Sequence, residues 1–388
     1  MKKKTKVTLL IVLVVLLVGE LGFLGFRAWQ KNAGSESVAT EAPTAAPTEV
    51  PTAAPTAAPT EAPTAAPTEV PTEAPTEAPT ESPVLYTDPL TGEVMDHAPD
   101  ARIFAVTINN VRSALPHVGV EDAGLFFEMF VNGYATRGLA LYSDIREAEV
   151  VGSVRSWRYN FTDLAVAYDA YGAHAGGSAE VLQDARNSGI DHVNVVGNDQ
   201  ASFRDKDRQK SGYSYEHTLF LKGSGMYEYA QQNGYRVTQE AGKSYGLNFA
   251  EDGTPAGGEA AGLINITFRH DGKTKPSTMT YDETLGKYLY TQYGKGVESV
   301  TDANREPFEN VFVILAEVRN KGEYHVANLD GSGEGYYACG GKIIKIRWHH
   351  ENPADPITFT LEDGTPLVQG VGNSYIAICP LKSTVAWE

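Results

Sequence analysis

The sequence predicts an α+β protein: a mixed α/β N-terminal domain and a smaller β-rich C-terminal domain, preceded by a transmembrane helix and a proline-rich stalk. Three observations carry this reading. An Asn-Gly hairpin is followed by helical and strand-like segments in alternation up to residue 237. From Thr238 onward only short alternating or apolar runs remain, separated by Gly, Asn and Asp turns. Before residue 85, a lysine-led apolar run gives way to a repeat in which proline recurs every few residues.

Residues 1–33 begin with Lys2, Lys3 and Lys4, and Val7 to Phe26 is almost wholly apolar. That run matches the roughly 20 residues needed to cross a bilayer's hydrocarbon. The lysines before it predict a cytoplasmic tip, with everything after Arg27 outside. A cleaved signal peptide is the rival reading, but the run is long for one and no A-x-A site follows. No cysteine lies here to carry a lipid. The expectation is a single-pass signal anchor in the cell membrane.

Residues 34–84 form the stalk, with APTE, APTA and VPTE units repeated from Glu41 to Pro83. Proline at this density forbids helix and central strand and favours polyproline II. At about 3.1 Å per residue the extended segment reaches on the order of 100 Å or more. Two segments follow, 85–237 and 238–388. Of 388 residues, 49 are acidic and 32 are lysine or arginine, giving a formal charge of -17 that falls mostly beyond the stalk. Such a balance argues against a nucleic-acid surface. The two cysteines, Cys339 and Cys379, are either bridged in an oxidising exterior or buried as free thiols.

Within 85–237, Arg102 to Ile108 reads as a buried strand. Leu125 to Val131 and Ala135 to Tyr142 read as a hairpin about Asn132-Gly133. Phe161, Leu164, Ala165 and Tyr168 recur at helical spacing. Ala170 to Ala175 is a short buried strand delivering His174 to Gly176-Gly177-Ser178, and Ser178 caps a second helix with Val181, Leu182 and Ala185 inward. His192 to Val196 adds a strand. Ser202 to Phe220 reads as a charged loop with Arg204, Lys206, Arg208 and Lys210 among aromatics, and Gly223 to Gln232 as an amphipathic helix.

In 238–388, strands are expected at Leu263–Phe268, Met279–Tyr281, Tyr288–Tyr290, Phe312–Val318, Lys342–Trp348, Ile357–Leu361 and Tyr375–Cys379. The glycine cluster at 331–335 lacks the Lys-Ser/Thr ending of a phosphate-binding loop. Adjacent His349 and His350 point apart in a strand and are expected at the surface, and no Cys-x-x-Cys or HExxH pattern offers a metal site. No cofactor is expected.

Several runs together resemble the YerB-like family of bacterial lipoproteins, whose domain has no established function. They are DPLTGE at Asp88, INN at Ile108, GLALY at Gly138, VGSVRSWRYNFTDLAVAYDA at Val151, HAGGS at His174, FRDKDR at Phe203 and GSGEGYY at Gly331. The resemblance implies an N-terminal α/β domain carrying the arginine and HAGGS runs and a smaller C-terminal domain carrying GEGYY. Three departures stand out. The family's lipoprotein cysteine is replaced by span and stalk. Its Val-Arg-Ser-Ala-Arg-Pro becomes Val154-Arg155-Ser156-Trp157-Arg158-Tyr159, and its Pro-His-Asn becomes Glu216-His217-Thr218.

Arg155 and Arg158 open the first helix, where cations oppose the helix dipole, so their placement needs another reason. One reading is an anion site in which Arg155, Arg158, Arg204 and Arg208 grip phosphate or carboxylate, assisted by His174 and by backbone N–H groups at Gly177 and Ser178. Its ligand would be a cell-wall polymer or a lipid-linked glycan. An alternative is a phosphoryl- or glycosyl-acting enzyme with His174 or His217 as base, or Ser178 as nucleophile. A third is a module that docks an envelope protein. The bland alternative for Arg155 is an ion pair with Asp163 or Asp169 that merely locks the helix.

Overall fold

The computed structural model describes residues 85–293 and 306–388. The expected anchor and stalk lie outside these residues; among the described residues no helix is long and apolar enough to cross a membrane. The principal elements of the first part are β1 (Phe104–Asn109), β2 (Leu125–Asn132), β3 (Ala135–Tyr142), β4 (Val150–Gly152), α1 (Tyr159–Ala167), β5 (Tyr171–His174), α2 (Ala179–Ser188), β6 (His192–Asn194), β7 (Ser202–Arg204), α3 (Lys206–Lys210), β8 (Leu219–Lys222) and α4 (Gly223–Gln232). Those of the second are β9 (Leu263–His270), β10 (Lys273–Asp282), β11 (Lys287–Gln292), β12 (Glu306–Phe308), β13 (Asn310–Ala316), β14 (Val318–Lys321), β15 (Tyr324–Ala327), β16 (Gly331–Cys339), β17 (Lys342–His350), β18 (Ser374–Pro380) and β19 (Thr384–Trp387).

The large sheet runs β17-β16-β13-β18-β2-β3-β1-β5-β6. Strand β18 is parallel to both neighbours, with Ser374 opposite Asn310 on β13 and Leu125 on β2. Segments 85–237 and 238–388 therefore contribute strands to one continuous sheet. A second, five-stranded sheet runs β12-β11-β10-β9-β19.

Strand β2 shows why the layers form. Its side chains alternate between two cores. Phe126 and Phe130 pack with Ile264, Phe268 and Tyr290 of the five-stranded sheet. Leu125, Phe127 and Met129 pack with Phe161, Leu164 and Tyr168 and with Val181 of α2. Each such side chain contributes about 1.5–3 kcal/mol by leaving water, and a strand covered on both sides reads as a continuous apolar run. The hairpin turn has Gly133 at φ 59, and Gly189, at φ 78, ends α2; both conformations favour glycine. Asn160 clamps α1 to β15 through paired bonds to Ala327, each 2.8 Å long.

Several expectations need correction. Residues 202–220 are an ordered unit containing β7, α3, a 3₁₀ turn at Tyr215–His217 and the start of β8, rather than a loop. Asp205 made α3 possible, because its carboxylate caps the N–H groups of Asp207 and Arg208. The glycine cluster at 331–335 forms the first half of β16, where Val313 O of the neighbouring strand comes so close that a Cβ on Gly335 would sit 2.6 Å from it. His350 is buried rather than at the surface, with Nδ1 2.9 Å from the Leu329 carbonyl. Cys339 and Cys379 are free, buried thiols.

Candidate functional site

The stretch from Ser153 to Arg158 crosses the end of the large sheet in extended form and is fixed on three sides by backbone bonds. Arg155 N–H donates to Thr107 O on β1, Ala175 N–H to Arg155 O, Trp157 N–H to Gly176 O, and Val154 N–H to Leu219 O. Trp157 anchors it, fully buried, its indole N–H 3.0 Å from Thr162 Oγ1. With the backbone pinned, the Arg155 and Arg158 side chains have few directions open to them.

A third arginine, on β3, joins them. Arg137 is 5% exposed and donates from Nη1 to Ser156 O at 3.0 Å. Arg158 donates to its neighbour's carbonyl, Trp157 O, at 2.8 Å and lies over the Tyr324 ring at 5.1 Å. Arg155 Nη2 reaches Glu216 Oε2 at 3.0 Å, so neither Asp163 nor Asp169 is its partner. Asp163 accepts from Asn160, and Asp169 pairs with Arg102 and Arg236. The Nε atoms of all three arginines are buried and have no hydrogen-bond partner among the described residues.

Burial, then the charges of Arg158 and Arg155, hold the Arg137 guanidinium well below its usual range. Burial and then Arg155 act on Arg158 in the same direction, against the opposing influence of Tyr324 and Glu323. Two like charges at 4 Å repel by about 4 kcal/mol at an effective dielectric of 20, and each buried ion loses several kcal/mol of hydration. Within the group, Glu216 is the carboxylate in ion-pair contact, and it is half-exposed. Among the described residues the three guanidinium groups thus have one carboxylate in ion-pair contact, Glu216 on Arg155, and the cluster keeps an excess of positive charge.

The other expected residues are placed as follows. Arg204 donates to Tyr215 O at 2.7 Å and stacks over the Tyr215 ring at 4.0 Å. Arg208, 9% exposed, donates to the carbonyls of Ala114 and Pro116 and lies against Tyr213 and Phe220. Both guanidiniums hold the two turns through backbone carbonyls. His217 lies in one of those turns, 3.6 Å from Glu216 Oε1. Ser178 caps α2 by accepting from Val181 N–H at 3.4 Å, and Gly177 lies against Leu182. His174 packs instead between two rings, its Nε2 3.0 Å from His192 Nδ1 and its ring 5.6 Å from that of Trp157.

Burial, then the neighbouring His192, lowers the His174 pKa to about 4. The sign of the pH effect follows. The unfolded chain takes up a proton near pH 6.5 and the folded one does not until about 4, so stability is full above 6.5 and falls as pH drops between the two values. The loss from this group amounts to about 3 kcal/mol. Chemical denaturation at pH 7, 5.5 and 4.5 is expected to show that slope, and His174→Gln to flatten it; an unchanged slope in the variant would refute the assignment.

Arg137 was missed by sequence reasoning, although a signal existed. It shares the face of β3 that buries Leu139 and Leu141, and a charged residue in register with an apolar face needs a partner or a ligand.

Comparison with known proteins fits this architecture. The N-terminal domain of "Protein of unknown function (DUF3048)" matches residues 90–236 and its C-terminal domain matches residues 264–376. The provisionally named lipoprotein YerB of Bacillus subtilis (strain 168) is 26% identical over 304 residues, spanning 75% of this chain and 86% of YerB. The crystal structure of YerB protein from Bacillus subtilis is similar in fold, with a TM-score of 0.64 at 22% identity over 78% of this chain and 99% of that one. Two family segments, in order and together covering well over half of the sequence, show that the chain belongs to the DUF3048 family in both its N-terminal and its C-terminal domains.

Proposed function

We propose that the protein is a membrane-tethered receptor of the cell envelope that binds an anionic component, a phosphate- or carboxylate-bearing glycan or lipid-linked sugar, through Arg137, Arg155 and Arg158. The observation that carries the reading is the set of three buried Nε donors with no partner among the described residues. Buried donors are nearly always satisfied, and an orphaned one costs about 1–3 kcal/mol, more when charged. An anion seated against the three guanidinium groups would neutralise their repulsion in one step. Tyr324 and Tyr159, both buried, pack edge to face beside the charge and fix the Arg158 side chain in place.

The location is part of the same proposal. The relative's description as a lipoprotein places that protein at a membrane, and here the apolar run at 7–26 would take the place of the lipid, with the stalk holding residues 85–388 outside the cell. The test is melting of the full chain in detergent micelles with millimolar pyrophosphate, a short polyprenyl phosphate and an uncharged oligosaccharide. The two anions are expected to raise the melting temperature, less so as salt increases. No shift with either anion at low salt would defeat the reading.

A further inference from the structure

Next to the arginine cluster, a hydroxyl, an imidazole and an amide from separate segments are connected. Ser113 Oγ lies 3.0 Å from His217 Nε2, and His217 Nδ1 lies 2.8 Å from the side-chain amide of Asn109. Asn109 ends β1, Ser113 sits in the 3₁₀ turn Arg112–Ala114, and His217 closes the turn Tyr215–His217. The imidazole is 4% exposed and Asn109 is fully buried, whereas Ser113 is open to solvent. A hydroxyl that substrate can reach thus stands in front of a base that water cannot.

Both turns are braced. Arg208 holds the Ala114 and Pro116 carbonyls, Tyr213 OH donates to Leu115 O at 2.8 Å, and Arg204 holds Tyr215 O. Glu216 joins the two sites, one carboxylate oxygen on Arg155 and the other facing His217.

Orientation of the amide decides the chemistry. With Asn109 Oδ1 turned to the ring, it accepts from Nδ1–H and leaves the Nε2 lone pair facing the Ser113 hydroxyl. With the amide turned the other way, Oδ1 is a buried oxygen with no partner among the described residues. Burial, first among the influences on it, holds the His217 pKa below its ordinary value, which keeps the ring neutral and basic at pH 7.

We propose that Ser113, His217 and Asn109 are a serine-nucleophile triad that hydrolyses an ester borne by an anionic molecule, whose charge Arg155 holds beside the reacting carbonyl. Ser113 Oγ attacks the carbonyl carbon while its proton passes to His217 Nε2. The tetrahedral adduct collapses, the bond to the alcohol oxygen breaks, and the leaving alkoxide takes that proton. Water then attacks the acyl-serine and gives a proton to His217, and Ser113 Oγ leaves with that proton as the carboxylic acid is released. Ser113 and His217 are catalytic, and Asn109 is a positioning residue. The triad stands on its own geometry; only the negative charge of the substrate rests on the arginine reading.

The test uses the full chain in detergent micelles and an uncharged fluorophosphonate, which modifies only an activated serine. The expected result is one adduct, located on Ser113 by peptide mass spectrometry, absent in Ser113→Ala and formed at least 100-fold more slowly in His217→Gln, in line with the contribution of a general base. Asn109→Asp is expected to keep the reaction and move its pH profile upward, because a carboxylate stabilises the imidazolium; Asn109→Ala loses rate without that shift. No adduct on Ser113 in folded wild-type protein, or equal labelling of His217→Gln, would overturn the triad. Hydrolysis of p-nitrophenyl hemisuccinate against p-nitrophenyl acetate separates the second part: a higher kcat/KM for the charged ester supports Arg155 as its anchor, and equal values overturn that anchor while leaving the triad in place.

Discussion

Lys275→Met is expected to lower the free energy of unfolding by about 3–5 kcal/mol, the cost of breaking a buried ion pair from one side. Lys275 on β10 and Glu128 on β2 are 1% and 0% exposed and in direct ion-pair contact between the two sheets. Glu128 Oε2 also accepts from Tyr375 OH at 2.6 Å, Tyr290 OH at 2.7 Å and Ser277 Oγ at 3.0 Å. Its Oε1 accepts from Thr136 Oγ1 at 2.6 Å and from Asn110 at 2.9 Å. Burial opposes ionisation of this carboxyl, but Lys275 and these donors together hold its pKa below the ordinary carboxylate value. The hydroxyls soften the loss of Lys275 without supplying a counter-charge, so the variant must either bury a bare carboxylate or protonate it.

The check is urea or guanidinium unfolding of Lys275→Met, Glu128→Leu and the double variant. The double variant is expected to recover part of the loss, because two apolar groups replace a pair whose desolvation largely cancels its attraction, while the hydroxyls of Tyr375, Tyr290, Ser277 and Thr136 lose their acceptor. A double variant as unstable as the sum of the singles would show that the hydroxyl network, rather than the ion pair, is what joins the sheets.

The fold was legible where one physical signal dominated. The Asn-Gly turn fixed the β2–β3 hairpin, and Ser178 marked the start of α2. What the sequence could not show was pairing between distant strands. Strand β18 is a plain apolar run near the C-terminus, and nothing local in it specifies insertion between β2 and β13. The candidate site was half legible for the same reason. Arg155 and Arg158 were visible because they opposed a helix dipole, and His217 because the family resemblance marked its position. Arg137, Asn109 and Ser113 reach the same region from β3, β1 and a turn, and their meaning comes only from that convergence. Arg204 and Arg208 were expected to grip a ligand, but backbone carbonyls of nearby turns are closer and satisfy them.

Arg137→Met is expected to abolish anion binding while leaving the ligand-free fold as stable as the wild type or more so, by about 1–3 kcal/mol. Two opposing contributions decide the sign. In the free protein, Arg137 makes one bond, to Ser156 O, and leaves Nε unsatisfied beside two like charges. A net hydrogen bond contributes about 0.5–1.5 kcal/mol, whereas a buried unpaired cation costs several. Methionine keeps the length of the side chain, adds apolar burial against Leu139 and Leu141, and removes the repulsion. With ligand the order reverses, since an anion held by three guanidiniums loses its most buried one. Melting of both proteins with and without pyrophosphate separates the cases: a function site traded against stability gives a higher melting temperature without ligand and no shift with it. A variant that is less stable in both conditions would mean that Arg137 is there to tie Ser156 to β3, and that the clustering of the three arginines is a by-product of that tie.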